Sequence, residues 1–308
     1  MLDRFGRPVK SIRVSVTERC NLACFYCHRE GEWHIHREEM SPEEIERILK
    51  IAREFDIRKV KFTGGEPLVR NDFVDIVTRA AKYMDRDISL TTNGTLLKNF
   101  AEDLKKAGVR RVNVSLDTLD RRKYERITGR DLLNDVVDGV YAAIEEGMVP
   151  VKLNVVVLRG INDDELENMI SFSADTGAIL QLIELEVPLE RENSEFFKKY
   201  HVDLSDFERH ISKMAEKVEY NELHRRKRYS LKINNKRATV EFVRSMHNTA
   251  FCMNCTRIRL TSDGKLKPCL LRNDNLVDLL TPLRKGASDE ELKNLFKQAI
   301  LLREPYWK

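Results

Sequence analysis

The six cysteines of this chain fall into two trios, and their spacing is the first sign of chemistry. Cys20, Cys24 and Cys27 form a C-x3-C-x2-C run on a polar stretch, while Cys252, Cys255 and Cys269 form a C-x2-C-x13-C run far downstream. Thiolates are the ordinary ligands of iron–sulfur clusters, and a four-iron cluster normally takes four of them. A trio leaves one iron open to chelation by a small molecule. Zinc is the competing reading, and a closed zinc site needs a fourth Cys or His. His28 directly follows Cys27 and would have to turn back on the same ion; His247 is the nearest candidate for the second trio but fits paired spacing poorly. Unligated, buried cysteine is a poor account of three thiols within eight positions of a polar loop. Two [4Fe-4S] clusters are therefore the expectation.

Other residues gain meaning beside these trios. In Thr63-Gly64-Gly65-Glu66-Pro67, two glycines allow backbone to approach a ligand without Cβ obstruction, and Glu66 could accept from an ammonium. Arg257 and Arg259 are two apart, so in a strand they share a face, where paired guanidinium forks would suit phosphate oxygens. Without the cysteines beside them, two solvated arginines would be the simpler reading. Lys152 lies in an apolar strand, either at a sheet edge or turned into a cavity.

The elements that must position these residues alternate. Strands are predicted at Ser11–Val16, Arg58–Thr63, Asp87–Thr92, Arg111–Asp117, Val151–Leu158 and Ala178–Leu185. Helix starts are read at Ser41-Pro42-Glu43-Glu44, Asn71-Asp72, Leu96 and Asn162-Asp163, with stops at Gly108 and Gly177. Six strand–helix repeats imply a parallel sheet with right-handed crossovers, two units short of a closed eight-fold barrel. The expected fold is α/β: an incomplete parallel (β/α)6 barrel of TIM-barrel type over residues 1–187, with a smaller C-terminal α+β region over 188–308. There, a helix is read at Leu204–Val218, two strands at Tyr229–Ile233 and Ala238–Val243 around Asn234-Asn235, a hairpin at Asp263-Gly264 that returns Cys269 to its partners, and a helix near Asp289–Leu301.

Of 308 residues, 42% are hydrophobic and 34% charged, and the net charge is +4. That mild balance suits an anionic small molecule as well as nucleic acid and decides nothing by itself. No apolar signal or membrane span is visible, so a soluble, cytoplasmic protein is expected, with no membrane partner; there, six cysteines are not expected to form disulfides.

With Tyr26 before its last cysteine, the first trio resembles the hallmark of the radical S-adenosylmethionine superfamily, and Gly64-Gly65-Glu66-Pro67 is similar to its GGEP segment. The resemblance implies that S-adenosylmethionine binds the open iron through its amino and carboxylate groups. One electron would then split the sulfonium into methionine and a 5′-deoxyadenosyl radical, with Cys20, Cys24 and Cys27 holding the catalytic cluster. Tyr26, Gly65 and Ser115 would contact the cofactor.

The run Cys255-Thr256-Arg257-Ile258-Arg259-Leu260-Thr261-Ser262-Asp263-Gly264-Lys265, with Cys269-Leu270 beyond, looks like the GTP 3′,8-cyclase (molybdenum cofactor biosynthesis protein A) family. So do Arg13–Asn21, Thr91–Gly94, Asn113–Asp117 and Lys152–Val156. The likeness implies a lyase of molybdenum cofactor biosynthesis. In that family GTP meets the open iron of the second cluster, its ribose 3′ hydrogen is abstracted, and the carbon radical attacks C8. Arg13, Lys61, Thr91, Lys152, Arg257 and Arg259 fall on GTP-binding positions. An electron donor and, downstream, cyclic pyranopterin monophosphate synthase are the implied partners.

Three departures stand out. Lys61 replaces a common arginine, Glu186 replaces a common methionine, and the C-terminal Arg303–Lys308 lacks the family's two final glycines. Two rival readings remain open on the residues alone. One is a radical maturase with an auxiliary cluster that modifies a peptide. The other is a non-enzymatic zinc module touching RNA through His224-Arg225-Arg226-Lys227-Arg228, although such runs are more often solvated loops and nucleic acid is not the expected partner.

Overall fold

Strict alternation along each strand decides which side of the sheet is which. Ile12, Val14, Val60, Phe62, Leu90, Val112, Val114, Leu153, Val155, Leu180 and Leu182 are at most 1% exposed. The residues between them are mostly polar and share the opposite face, because successive strand side chains point to opposite sides. One face is sealed by helices; the other is a polar interior.

The structure is a computed structural model and describes residues 1–31, 38–221 and 223–307. Its first six strands are β1 (Ser11–Ser15), β2 (Lys59–Thr63), β3 (Asp87–Thr92), β4 (Arg111–Ser115), β5 (Lys152–Val157) and β6 (Ile179–Glu184). They lie in sequence order and pair in parallel throughout. The later strands are β7 (Lys217–Tyr220), β8 (Lys227–Ile233), β9 (Lys236–Val243), β10 (Arg257–Leu260), β11 (Lys265–Lys267) and β12 (Val277–Asp278).

Helices α1 (Pro42–Glu54), α2 (Phe73–Ala81), α3 (Leu97–Ala107), α4 (Arg121–Thr128), α5 (Leu133–Glu145) and α6 (Leu166–Thr176) connect the first six strands. The remainder are α7 (Glu195–Tyr200), α8 (Ser205–Met214), α9 (Thr249–Met253), α10 (Leu280–Arg284) and α11 (Asp289–Leu301). Ser41 caps α1 and Ser288 caps α11, each in a reciprocal box with the Glu three residues on. Gly108 ends α3 at φ 113°, a left-handed angle that only glycine adopts readily. The start read at Asn162-Asp163 is displaced: α6 begins at Leu166. Asn162 instead accepts from Leu158 N and donates to the Asp117 and Val156 carbonyls, tying the ends of β4 and β5 together.

The incomplete six-unit barrel is present, and the C-terminal region extends it at both edges. β9 joins β6 in parallel, and β10 joins β1 in parallel. Eight parallel strands therefore stand in one row, flanked by the antiparallel partners β8 and β7 on one side and β11 and β12 on the other. The sheet remains open. The chain between β9 and β10 carries Cys252 and Cys255, so the second cysteine loop bridges the two edges.

Candidate active site

The first trio follows β1, on a loop that the next strand pins in place. Gly65 N donates to Thr17 O at 2.7 Å and Glu66 N to Arg19 O at 2.8 Å. A Cβ on Gly64 would lie 2.4 Å from Thr17 O, and one on Gly65 2.3 Å from Arg19 O. The atoms these missing side chains admit belong to the cysteine loop itself, so the glycines seat the metal-binding loop on the end of β2.

Glu66 differs from its sequence reading. It is fully buried, and its carboxylate accepts from Thr92 Oγ1 (2.7 Å), Asn93 N (2.6 Å) and Leu68 N (3.1 Å). Burial pushes its pKa up to about 7 against those bonds. It shapes the turn after β3 and is not presented to an ammonium.

Two sulfurs of the trio receive backbone N–H groups: Leu22 N lies 3.4 Å from Cys20 Sγ, and Arg29 N lies 3.4 Å from Cys27 Sγ. Asn93 Nδ2 approaches Cys20 Sγ at 3.8 Å. Burial raises the pKa of all three thiols, and at Cys24 the neighbouring Asp117 carboxylate and the other two cysteines add to it. Asp117, given no role of its own in the sequence, accepts from Tyr26 OH at 2.5 Å and Val156 N at 2.8 Å, and burial pushes its pKa up to about 6. Tyr26 is thus a strut between the cysteine loop and the end of β4, where Ser115 is half-buried.

The hairpin read at Asp263-Gly264 is present. β10 and β11 pair with Arg259 opposite Lys267, which returns Cys269 to the field of Cys252 and Cys255. Both chain ends clamp this loop. Arg7 donates to Cys252 O at 2.9 Å, Arg303 donates to Cys255 O at 2.6 Å, and both ion-pair with Asp3 at 2.8 and 3.2 Å. Backbone N–H groups of Tyr306 and Trp307 reach the Cys252 sulfur, so this is where the C-terminal segment docks. Burial would raise the Cys255 pKa, but Arg257 and Arg303 hold it below the usual thiol range. His247 bonds Glu192 and packs on Trp307, with ring centroids 4.2 Å apart.

Among the described residues all six cysteines are free. Each trio thus offers three soft donors in one another's field, with N–H groups aimed at sulfurs, a donor set that fits an iron–sulfur cluster. Among the described residues no three His, Cys, Asp or Glu side chains gather closely enough to grip a single ion, whereas thiolates of a cluster each take a different iron.

Between the trios lies the polar sheet face. Arg13 is flanked in register by Arg259 and Lys61, and Asn113 by Thr91 and Lys152. Five of the six predicted substrate residues (Arg13, Lys61, Lys152, Arg257 and Arg259) feel one another's charge here; the uncharged Thr91 is half-buried on β3. Lys61 donates to Asn113 Oδ1 at 2.5 Å, and burial together with Arg111, Arg13 and Arg257 holds its pKa well below the usual lysine range.

Two buried carboxylates hold Arg13, Arg259 and Lys152. Glu30 accepts from Arg13 (3.3 Å), Arg259 (3.0 Å) and Thr63 (3.0 Å), and the cavity left beside it is about 10 Å³. Burial would raise its pKa, but Arg13 and Arg259 hold it far below the usual carboxylate range. Glu241 accepts from Lys152 at 2.6 Å and Arg228 at 2.6 Å, with Arg226 at 3.8 Å. Burial opposes these cations, yet they bring its pKa down to about 2. The edge reading of Lys152 fails, since β5 lies between β4 and β6. Its amine is buried, which lowers its pKa to about 8 despite Glu241.

The run His224–Arg228 is not laid out as a solvated patch either. Arg225 and Lys227 are exposed, while His224 stacks on Phe251 (centroids 3.7 Å apart) and Arg226 and Arg228 turn toward Glu241. Glu241 was legible as the one acid in an apolar strand. Glu30 carried no signal. Left-handed backbone at Arg29 and Glu30 (φ 47° and 53°) and at His224 and Arg225 (φ 62° and 49°) aims these segments inward. Such angles cost about 1–3 kcal/mol per residue and persist only where surrounding structure enforces them.

Residues 14–173 match the Radical SAM superfamily and residues 178–308 match Molybdenum Cofactor Synthesis C, so a radical S-adenosylmethionine barrel is the class that fold and site define. The fold is shared with Streptococcus suis SuiB bound to precursor peptide SuiA (TM-score 0.68, 16% identity, 98% of this chain and 66% of that one). It is shared also with anSMEcpe with bound AdoMet (TM-score 0.66, 17% identity, 96% of this chain and 81% of that one). Over its whole length the chain is 56% identical to the probable GTP 3′,8-cyclase of Pyrococcus abyssi, covering 99% of it. It is 48% identical to that of Methanocaldococcus jannaschii, again covering 99%. The chain belongs to the GTP 3′,8-cyclase family of the radical SAM superfamily.

Proposed function

We propose that this protein converts GTP to 3′,8-cyclo-7,8-dihydro-GTP in the first step of molybdenum cofactor biosynthesis. The observation that carries the reading is the excess of buried cations between the two cysteine trios. Arg13 and Arg259 share Glu30, while Lys152, Arg226 and Arg228 share Glu241. Lys61 and Arg257 add charge with no carboxylate hydrogen-bonded to them among the described residues. A triphosphate supplies the missing negative charge, and buried guanidinium forks bind phosphate oxygens strongly.

Cys20, Cys24 and Cys27 would hold one cluster, and Cys252, Cys255 and Cys269 the other; when bound, the first supplies the electron that cleaves S-adenosylmethionine. The protein's own residues do the positioning. The seated Gly64-Gly65 turn, the Tyr26–Asp117 strut and Ser115 shape the cofactor end, within residues 1–187. Arg257 and Arg259, on the strand leading out of the second cysteine loop, fix the nucleotide end, within 188–308. Arg13, Lys61, Thr91 and Lys152 line the path between them, so both ligands meet on one polar face that helices shield from behind. An external electron donor and a reducing, cytoplasmic setting complete the requirement, and the product passes to cyclic pyranopterin monophosphate synthase. No helix among the described residues is long and apolar enough to cross a membrane.

The test is anaerobic incubation of reconstituted protein with S-adenosylmethionine, reductant and GTP. 5′-Deoxyadenosine should form in step with a cyclised guanosine triphosphate. Cleavage indifferent to GTP would remove the substrate assignment while leaving the superfamily intact.

A further inference from the structure

Resting on the GTP reading, we infer that Arg226 is a further triphosphate-binding residue of this enzyme and that Glu241 is the positioning residue that holds it ready. Arg226 lies just before β8, yet its side chain is only 11% exposed. Its Nε is buried with no hydrogen-bond partner among the described residues, as is the Nε of Arg13. A buried N–H group without an acceptor is unstable unless a ligand provides one, and Arg226 and Arg13 lie within each other's electrostatic reach. The same field includes Arg257 and Lys152. A polyanion seated among Arg13, Lys152 and Arg257 would therefore meet Arg226 as well.

Its orientation is built in. Asn221 N donates to Arg226 O at 2.8 Å, His224 N donates to Asn254 O at 3.2 Å, and the His224 ring stacks on Phe251 of α9. The segment is thus fastened to the helix that carries Cys252. Glu241, 0% exposed, sits opposite Arg228 in the β8–β9 ladder. Its two oxygens are already engaged by Lys152 and Arg228 at 2.6 Å, while Arg226 stands at 3.8 Å. Arg226 is therefore held near the carboxylate with donors to spare, and an incoming phosphate can recruit it without breaking the Glu241–Arg228 pair.

The experiment compares binding of GTP, GDP and guanosine to reconstituted, anaerobic enzyme and its Arg226→Ala, Arg226→Lys and Glu241→Gln variants. Iron content of about eight per chain certifies each variant as folded and loaded. Arg226→Ala should weaken GTP at least tenfold, GDP less, and guanosine less than twofold; Arg226→Lys should restore part of the loss. With Glu241→Gln, the Lys152 amine would face Arg226, Arg228 and Lys61 without a counter-charge. The pH above which GTP binding weakens should then move down from its value in the unmodified enzyme, a change that simple loss of packing would not cause. A GTP affinity within twofold of the unmodified enzyme in Arg226→Ala, equal losses for GTP and guanosine, or an unmoved pH profile in Glu241→Gln would overturn the inference. Should the unmodified enzyme itself bind GTP no better than guanosine, the substrate reading falls, and this inference with it.

Discussion

The two cysteine trios offer the same three ligands, but they sit in opposite fields. Around the first, the buried carboxylates Glu66 and Asp117 set the field, and burial together with Asp117 raises the Cys24 pKa. Around the second, they are guanidinium groups: Arg257, Arg303 and Arg259 lower the Cys255 pKa against its burial. One end of the cavity suits a sulfonium cation, the other a polyanion. Ligand type selects the cluster, and the surrounding charge selects what the cluster meets. In a poorly hydrated site such charges act with far more effect than they would in water.

The sharpest way to break this comparison is to remove one ligand from each end. Cys24→Ala should abolish 5′-deoxyadenosine formation and halve the iron from about eight to about four per chain. Cys255→Ala should lose the same iron yet retain reductive cleavage while forming no cyclised nucleotide. If both variants stop cleavage alike, the two ends do not divide the labour.

Next come the guanidinium groups of the polyanion end. Arg13→Ala or Arg259→Ala should weaken GTP by about 10–100-fold, the range of about 1.5–3 kcal/mol for a hydrogen bond to a charged group. Calorimetry with S-adenosylmethionine should meanwhile give an unchanged affinity. A loss shared by both ligands would mean that the two fields are not separate.

A smaller effect follows from pH. The Lys152 amine, with a pKa lowered to about 8 by burial, is charged below that value and neutral above it. An anion prefers the charged form, so GTP affinity should fall as pH rises through about 8, by at most about tenfold per unit for one linked proton. Lys152→Met should bind GTP more weakly throughout and flatten the profile. A native profile that stays flat from pH 7 to 9 would contradict the placement of Lys152 beside the nucleotide.

The smallest change concerns Glu30, whose carboxylate occupies Arg13 and Arg259 in this structure. Glu30→Gln removes the competing charge and should tighten GTP by about threefold in equilibrium binding, roughly 0.6 kcal/mol. Weaker binding would instead assign Glu30 to supporting the two arginines in the occupied site.

Much of this molecule was legible before folding because its signals are local. The C-x3-C-x2-C loop, the capping box at Ser41, the Asn234-Asn235 turn and the alternating strands each depend on neighbours a few residues away. So does the shared face of Arg257 and Arg259, which follows from the two-residue period of a strand.

What only the tertiary structure decided involves partners far apart in sequence. The placement of β9 and β10 at opposite edges of the barrel, the capture of Glu30 by Arg13 and Arg259, and the pairing of Lys152 with Glu241 across 89 positions belong here. The inward turn of Arg226 and the diversion of Glu66 to Thr92 and Asn93 do as well. A buried charge takes whichever counter-charge the closed fold brings within reach, and its identity is not encoded in the residues on either side of it.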